Sequence, residues 1–289
     1  MNNQIKKLIE RLLIFILGVP AVFALVYFLT FLHNLPLNIF VIIFSGIGAV
    51  EFSAMLEKKQ LRLLKAESFI LGSLAPLAAT LTVSFNFPGW VIPLIIMTGA
   101  GWALLSRVFS RKTEMETVIY QLTGGFSVMI YPGFFMYWIV KMSAWENPGA
   151  VLLFLFITFG SDSAAWLTGS LFGSNNRGII PASPNKSIAG FSGGVLGSII
   201  VAAGAALLFP SVLSGEYSSV SSLVLKAVLL GFCTGIAGML GDLAESAIKR
   251  SCDFKDSGKL MLGRGGILDS IDSIAAAAPV FYMLYRFIF

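Results

Sequence analysis

The sequence predicts an all-α, polytopic transmembrane protein with about nine spans and a cytoplasmic N-terminus. Three observations lead there. First, 56% of the 289 residues are hydrophobic and 12% charged, with a mean hydropathy of +0.85 and a net charge of +5. A soluble domain is roughly 25% charged, and an apolar surplus of this size would leave large adhesive patches on a soluble globule. Second, the apolar residues come in runs of about 20, the length that crosses a bilayer as helix; a membrane barrel would alternate apolar and polar residues instead. Third, the cations cluster on alternate connections between the runs. Disordered chains, disulfide scaffolds and ordinary soluble enzymes are excluded, and little chain is left for a separate soluble domain.

In order, the runs fall at 12–32, 37–56, 68–85, 90–109, 118–140, 149–172, 189–209, 222–245 and 268–289. The first follows Lys6, Lys7 and Arg11 but lacks a small-x-small cleavage site, so a retained span is expected rather than a signal peptide. Lys58, Lys59, Arg62 and Lys65 fill the second connection and Arg107, Arg111 and Lys112 the fourth. Arg177 and Lys186 lie in the sixth, and Lys249, Arg250, Lys255, Lys259 and Arg264 in the eighth. Of 20 Lys and Arg, only Lys141, Lys226 and Arg286 fall on the opposite side. Positive charge stays inside, which places the N-terminus and the even-numbered connections in the cytoplasm. Residues 1–150 then hold spans one to five, and 151–289 hold spans six to nine with the polar connections expected to do the chemistry. Ser211–Ser222 reads as a short outer loop. Cys233 and Cys252 form no metal or redox motif, and His33 reads as a turn residue. Small residues such as Gly193, Gly194 and Gly197 let helices approach closely and permit a homodimer.

Acids inside a bilayer are costly and point to function. Glu51 lies near the cytoplasmic end of span two, where it is expected to reach water. Asp162 lies near the middle of span six and needs a partner or a water-filled cavity. Span eight ends with Asp242 and Glu245, and span nine begins with Asp269 and Asp272, which share one helix face at i,i+3. Asp242 and Asp269 are thus expected at similar depth near the cytoplasmic face. Carboxylates gathered in a poorly solvated place repel unless a cation joins them, and hard oxygen ligands suit Mg²⁺. Between them, Ser246 to Gly266 mixes cations with Gly258, Gly263, Gly265 and Gly266, the parts of a phosphate site, though not a Walker A loop. The turn Ser183-Pro184-Asn185-Lys186-Ser187 adds one more cation on the same side.

These residues resemble the signature of phosphatidate cytidylyltransferases, also called CDP-diacylglycerol synthases. Ser246-x-x-Lys249-Arg250, Lys255-Asp256 and Gly263-x-Gly265-Gly266-x-x-Asp269-x-x-Asp272 follow the family pattern. Asp162-Ser163-Ala164-Ala165-Trp166 with Gly169 and Phe172-Gly173 is similar to its upstream stretch, and Ser183 to Ser187 to its S-P-x-K-[ST] turn. The likeness covers residues 155–289. It implies an integral protein of the bacterial cytoplasmic membrane that joins CTP and phosphatidate at the cytoplasmic face, giving CDP-diacylglycerol and pyrophosphate. Nucleic acid is not among the implied partners. By the resemblance, Asp242 and Asp269 bind Mg²⁺ with Asp272 in support, and Asp162 holds a second cation or a basic side chain. Lys249, Arg250, Lys255 and Asp256 belong to the catalytic set. Ser183, Lys186, Ser246, Arg264, Gly265 and Gly266 hold phosphate groups.

Three positions depart from the pattern: Leu262 for Pro, Arg264 for His, and Ser270 for Arg. The second and third keep the local positive count, so Arg264 is expected to supply the charge missing at Ser270. Two other functions fit parts of the sequence. A CTP-dependent lipid-alcohol kinase would use similar groups but transfer the γ-phosphoryl. An ion-coupled transporter would line a pathway with Asp162 and Asp242, but it needs access from both faces, and the charges here crowd one.

Overall fold

The computed structural model describes residues 17–18, 20–59, 61, 63–108, 115–213, 219–261, 263 and 265–289. Among them there is no strand, only isolated bridges at Arg177–Ser187 and Met261–Gly265. The helices are α1 (Phe31–Leu56), α2 (Lys65–Ser84), α3 (Val91–Val108), α4 (Val118–Val128), α5 (Phe135–Met142), α6 (Pro148–Phe172), α7 (Ile188–Leu208), α8 (Val220–Ser251) and α9 (Leu268–Ile288). Eight continuous helical stretches of the described residues are long and apolar enough to cross a membrane. They match the second to ninth predicted runs. In the first, 12–32, residues 12–16 and 19 lie outside the described residues, and 20–27 is helical. The protein is an all-α, polytopic integral membrane protein.

Two boundaries differ from the sequence reading. The fifth run is one span, Val118–Met142, but a π-helical stretch at Met129–Phe134 joins α4 to α5. Pro132 sits in that stretch and has no N–H to keep the regular ladder. The eighth run continues as helix to Ser251. Ser246, Lys249 and Arg250 are therefore helical residues at the end of α8, not loop residues, because Lys and Arg are good helix formers and suit a helix C-terminus. At the start of α1, Leu32, His33 and Asn34 are left-handed, so the regular helix begins near the predicted residue 37.

The chain divides into two compact units, 1–145 with 251–271, and 146–250 with 272–289. In the first, hydroxyls and amides join helices that hydrophobicity alone would not hold together in lipid. Ser45 Oγ lies 2.7 Å from Gly72 O on α2 and 2.5 Å from Pro132 O in the π stretch. A Cβ at Gly133 would meet the Gly72 carbonyl, so this close approach requires glycine. Asn38 donates to Ser84 Oγ at 3.1 Å and accepts from Ser143 Oγ at 2.8 Å. Arg107 at the end of α3 places Nη2 2.7 and 2.8 Å from the two oxygens of buried Glu67 on α2. Only Val91, Gly99 and Ala103 of α3 are buried, as expected for a lipid-facing helix.

In the second unit, Asn147 caps α6 by accepting from Gly149 N, with Pro148 at the first helical position. Ser187 caps α7 by accepting from Gly190 N at 3.0 Å. Phe154 and Phe281 pack at 5.2 Å in the core, and Tyr285 Oη donates to Val212 O at 2.7 Å.

Candidate active site

The second unit holds a cavity of about 380 Å³. Asp162 and Trp166 line it from α6, Arg177, Asn185 and Lys186 from the connection to α7, and Asp242 from α8. The local sequence explains how these groups meet. At the end of α6, the Gly173 N–H bonds to Gly169 O, and Arg177 Nη2 returns to the same carbonyl at 3.2 Å. Gly178 N donates to Pro184 O and Lys186 N to Ser183 O, so the Ser-Pro-Asn-Lys-Ser segment closes into a tight turn. Ser183 thus contributes a carbonyl to the turn itself. Ser187 then starts α7, and Lys186 reaches Asp242, Nζ to Oδ2, at 2.5 Å.

Asp162 borders open space rather than packed side chains. It is half-buried, lines the cavity, and has Ser273 Oγ 3.5 Å from Oδ1. Buried Asp272 on α9 lies within electrostatic reach of Asp242, Glu245 and Asp162. The second unit therefore gathers four carboxylates. Two are matched by lysines: Asp242 by Lys186, and Glu245, fully buried, by Lys249 at 2.6 Å. Ser246 Oγ stands 3.5 Å from Asp242 Oδ1. Arg250 is exposed at the end of α8.

Asp269 belongs to the first unit, where it organises the glycine-rich segment. Its Oδ2 accepts from Ser257 N at 2.9 Å and Gly266 N at 2.7 Å, and its own N–H donates to Ser257 Oγ at 3.2 Å. Gly265 has φ 114, a conformation that excludes most side chains, and its amide and carbonyl pair with Met261. Lys255, Asp256 and Lys259 are exposed. Arg264 and Leu262 lie outside the described residues.

Glu51 corrects the sequence reading. It is 7% exposed rather than in water. Its Oε2 accepts from Leu268 N at 2.9 Å and Ser257 Oγ at 3.1 Å, while Oε1 has no hydrogen-bond partner among the described residues. Cys252 is likewise buried, at 1% exposure. Glu51 was detectable as the lone acid within an apolar run; its partners were not.

Membrane-crossing helices carry carboxylates paired with lysines, and one such pair, Lys186–Asp242, lines a cavity. The chain belongs to the cytidylyltransferase family, whose model matches residues 9–288. It is 33% identical over 207 residues to a phosphatidate cytidylyltransferase of Thermotoga maritima, covering 70% of this chain and 71% of that one. To the Bacillus subtilis phosphatidate cytidylyltransferase it is 30% identical over 263 residues, 89% of this chain and 91% of that one. An Escherichia coli protein, the uncharacterized protein YnbB, is 38% identical over 154 residues, 52% of this chain and about half (48%) of its own length.

Proposed function

We propose that this protein is a phosphatidate cytidylyltransferase of the bacterial cytoplasmic membrane, with its active site facing the cytoplasm. A phosphate oxygen of phosphatidate attacks the α-phosphorus of CTP. The bond to the bridging oxygen breaks and pyrophosphate leaves, giving CDP-diacylglycerol. One observation carries this reading: Asp162, Lys186 and Asp242, from three separate motif stretches, line one cavity. Such transfers depend on positioning and charge neutralisation more than on covalent chemistry from the protein. Lys186 holds a phosphate oxygen at the cavity, while Lys249, Arg250 and Lys255 supply further positive charge. The cytoplasmic headgroup level is where a lipid and a highly charged nucleotide can meet.

A divalent cation fits the donor chemistry. The gathered acids offer hard oxygens, with no His or Cys among them. No group of three or more acidic, His or Cys side chains among the described residues stands ready to hold an ion. Asp242 of the second unit, with Asp272 in support, and Asp269 of the first are each proposed as Mg²⁺ ligands, and Asp162 as a ligand of a second cation. When bound, such an ion neutralises triphosphate charge.

The test is incubation of purified protein with labelled CTP, phosphatidate and Mg²⁺. CDP-diacylglycerol and pyrophosphate are expected. Release of CDP with a phosphorylated lipid alcohol, when a lipid alcohol is supplied in place of phosphatidate, would overturn the reading.

A further inference from the structure

We propose that Glu51 is a positioning residue that sets the Ser257–Asp269 turn from across the first unit, acting through one hydrogen-bond-accepting oxygen rather than through its charge. The proposal rests on the reading of that turn as part of the phosphate-handling site.

Glu51 Oε2 accepts hydrogen bonds from the Ser257 hydroxyl and the Leu268 amide. Those two partners flank the glycine-rich segment, so one carboxylate oxygen fixes both its ends. Ser257 passes the constraint on, because its amide and hydroxyl both bond Asp269. Leu268 passes it on as the neighbour of Asp269 at the start of α9. Glu51 thus sets the direction of the Asp269 carboxylate without touching it. The segment is closed tightly around this contact. A Cβ at Gly258 or at Gly266 would collide with the Glu51 carboxylate. A side chain at Gly258 would therefore push the Glu51 carboxylate aside. Because Oε1 makes no hydrogen bond among the described residues, an amide in place of the carboxylate keeps the accepting oxygen and gives up none of these contacts.

The test compares Glu51→Ala and Glu51→Gln with wild type in detergent. Steady-state kinetics use CTP and phosphatidate. Limited trypsin digestion follows cleavage after exposed Lys259 in the turn and after exposed Arg177 in the second unit. Glu51→Ala is expected to lower kcat/KM roughly 10²-fold, the scale of two buried donors left without their shared acceptor. It should also speed cleavage after Lys259 about tenfold, as local opening becomes easier, with cleavage after Arg177 unchanged. Glu51→Gln should stay within about fivefold of wild type in both readouts. A Gln variant as damaged as the Ala variant would overturn the proposal, since it would assign the role to charge. So would an Ala variant whose Lys259 cleavage matches wild type. Should Glu51→Ala fail to fold, Gly258→Ala displaces the same carboxylate and must accelerate the same cleavage. A wild-type protein that makes no CDP-diacylglycerol would sink the functional reading, and the digestion would still decide the role of Glu51.

Discussion

Ser257 and Asp269 bind each other twice: the Ser257 amide donates to Asp269 Oδ2 at 2.9 Å, and the Asp269 amide donates to Ser257 Oγ at 3.2 Å. This is the reciprocity of a capping box, stretched across a twelve-residue separation instead of three. It starts α9 and closes the glycine-rich segment in one step.

Asp269 therefore has a structural task beside the metal-binding one proposed for it, and two substitutions separate them. Asp269→Asn keeps an oxygen that can accept from Ser257 N and Gly266 N but removes the charge. It should remain folded, with a Tm within about 2 °C of wild type, and lose activity by at least roughly 10²-fold. Asp269→Ala removes both and should also lower the Tm by several degrees, as two amides lose their acceptor at about 1–3 kcal/mol each. Thermal unfolding of the detergent-solubilised variants, run beside kinetics, separates the two effects. Exposed Asp256 is the comparison: Asp256→Asn should hurt less.

Lys186 and Asp242 should behave as one unit. Lys186→Ala and Asp242→Asn are each expected to lower kcat/KM by roughly 10²-fold, as for a lost charge-assisted contact. The double variant should fall well short of the product of the two losses, because the second change removes a partner already idle. Multiplicative losses would mean that the pair does not work together.

The orientation calls for an introduced reporter, because buried Cys252 is shielded from reagent in the folded protein. A cysteine at exposed Lys259 should react with a membrane-impermeant maleimide in permeabilised cells and stay unlabelled in intact ones. Labelling from outside would reverse the assignment made from the cation distribution.

Arg264 and Ser270 form the fourth test. If the guanidinium of Arg264 supplies a phosphate contact in place of the charge absent at Ser270, Arg264→Ala should lower kcat/KM roughly 10²-fold. Adding Ser270→Arg should then restore part of that loss. Additive effects, or an Arg264→Ala enzyme within about twofold of wild type, would leave Arg264 as a headgroup contact.

Most of the fold was legible because span length and apolarity are properties of single segments. The runs at 68–85, 90–109, 149–172 and 189–209 correspond closely to α2, α3, α6 and α7. The end of α8 was misjudged because Lys249 and Arg250 look like loop residues by polarity alone. The i,i+4 spacing of Glu245 and Lys249 was the signal for helix there. The π stretch at Met129–Phe134 leaves no comparable mark beyond Pro132. The candidate site was legible as a set of residue types: Asp162, Lys186 and Asp242 were named from sequence, and one cavity unites them. The surroundings were not. Glu51 reads as a solvated helix-end acid until its partners at Ser257 and Leu268 are seen, 206 and 217 residues away along the chain.

The burial of Cys252 gives the protein a clock. A thiol at 1% exposure next to the segment held by Glu51 and Asp269 can meet a reagent only when its surroundings briefly open. Its rate of modification at excess reagent thus counts those excursions, with no introduced probe. If nucleotide closes the neighbouring turn, the rate should slow on adding CTP in proportion to sites filled, giving an occupancy measurement that requires no turnover.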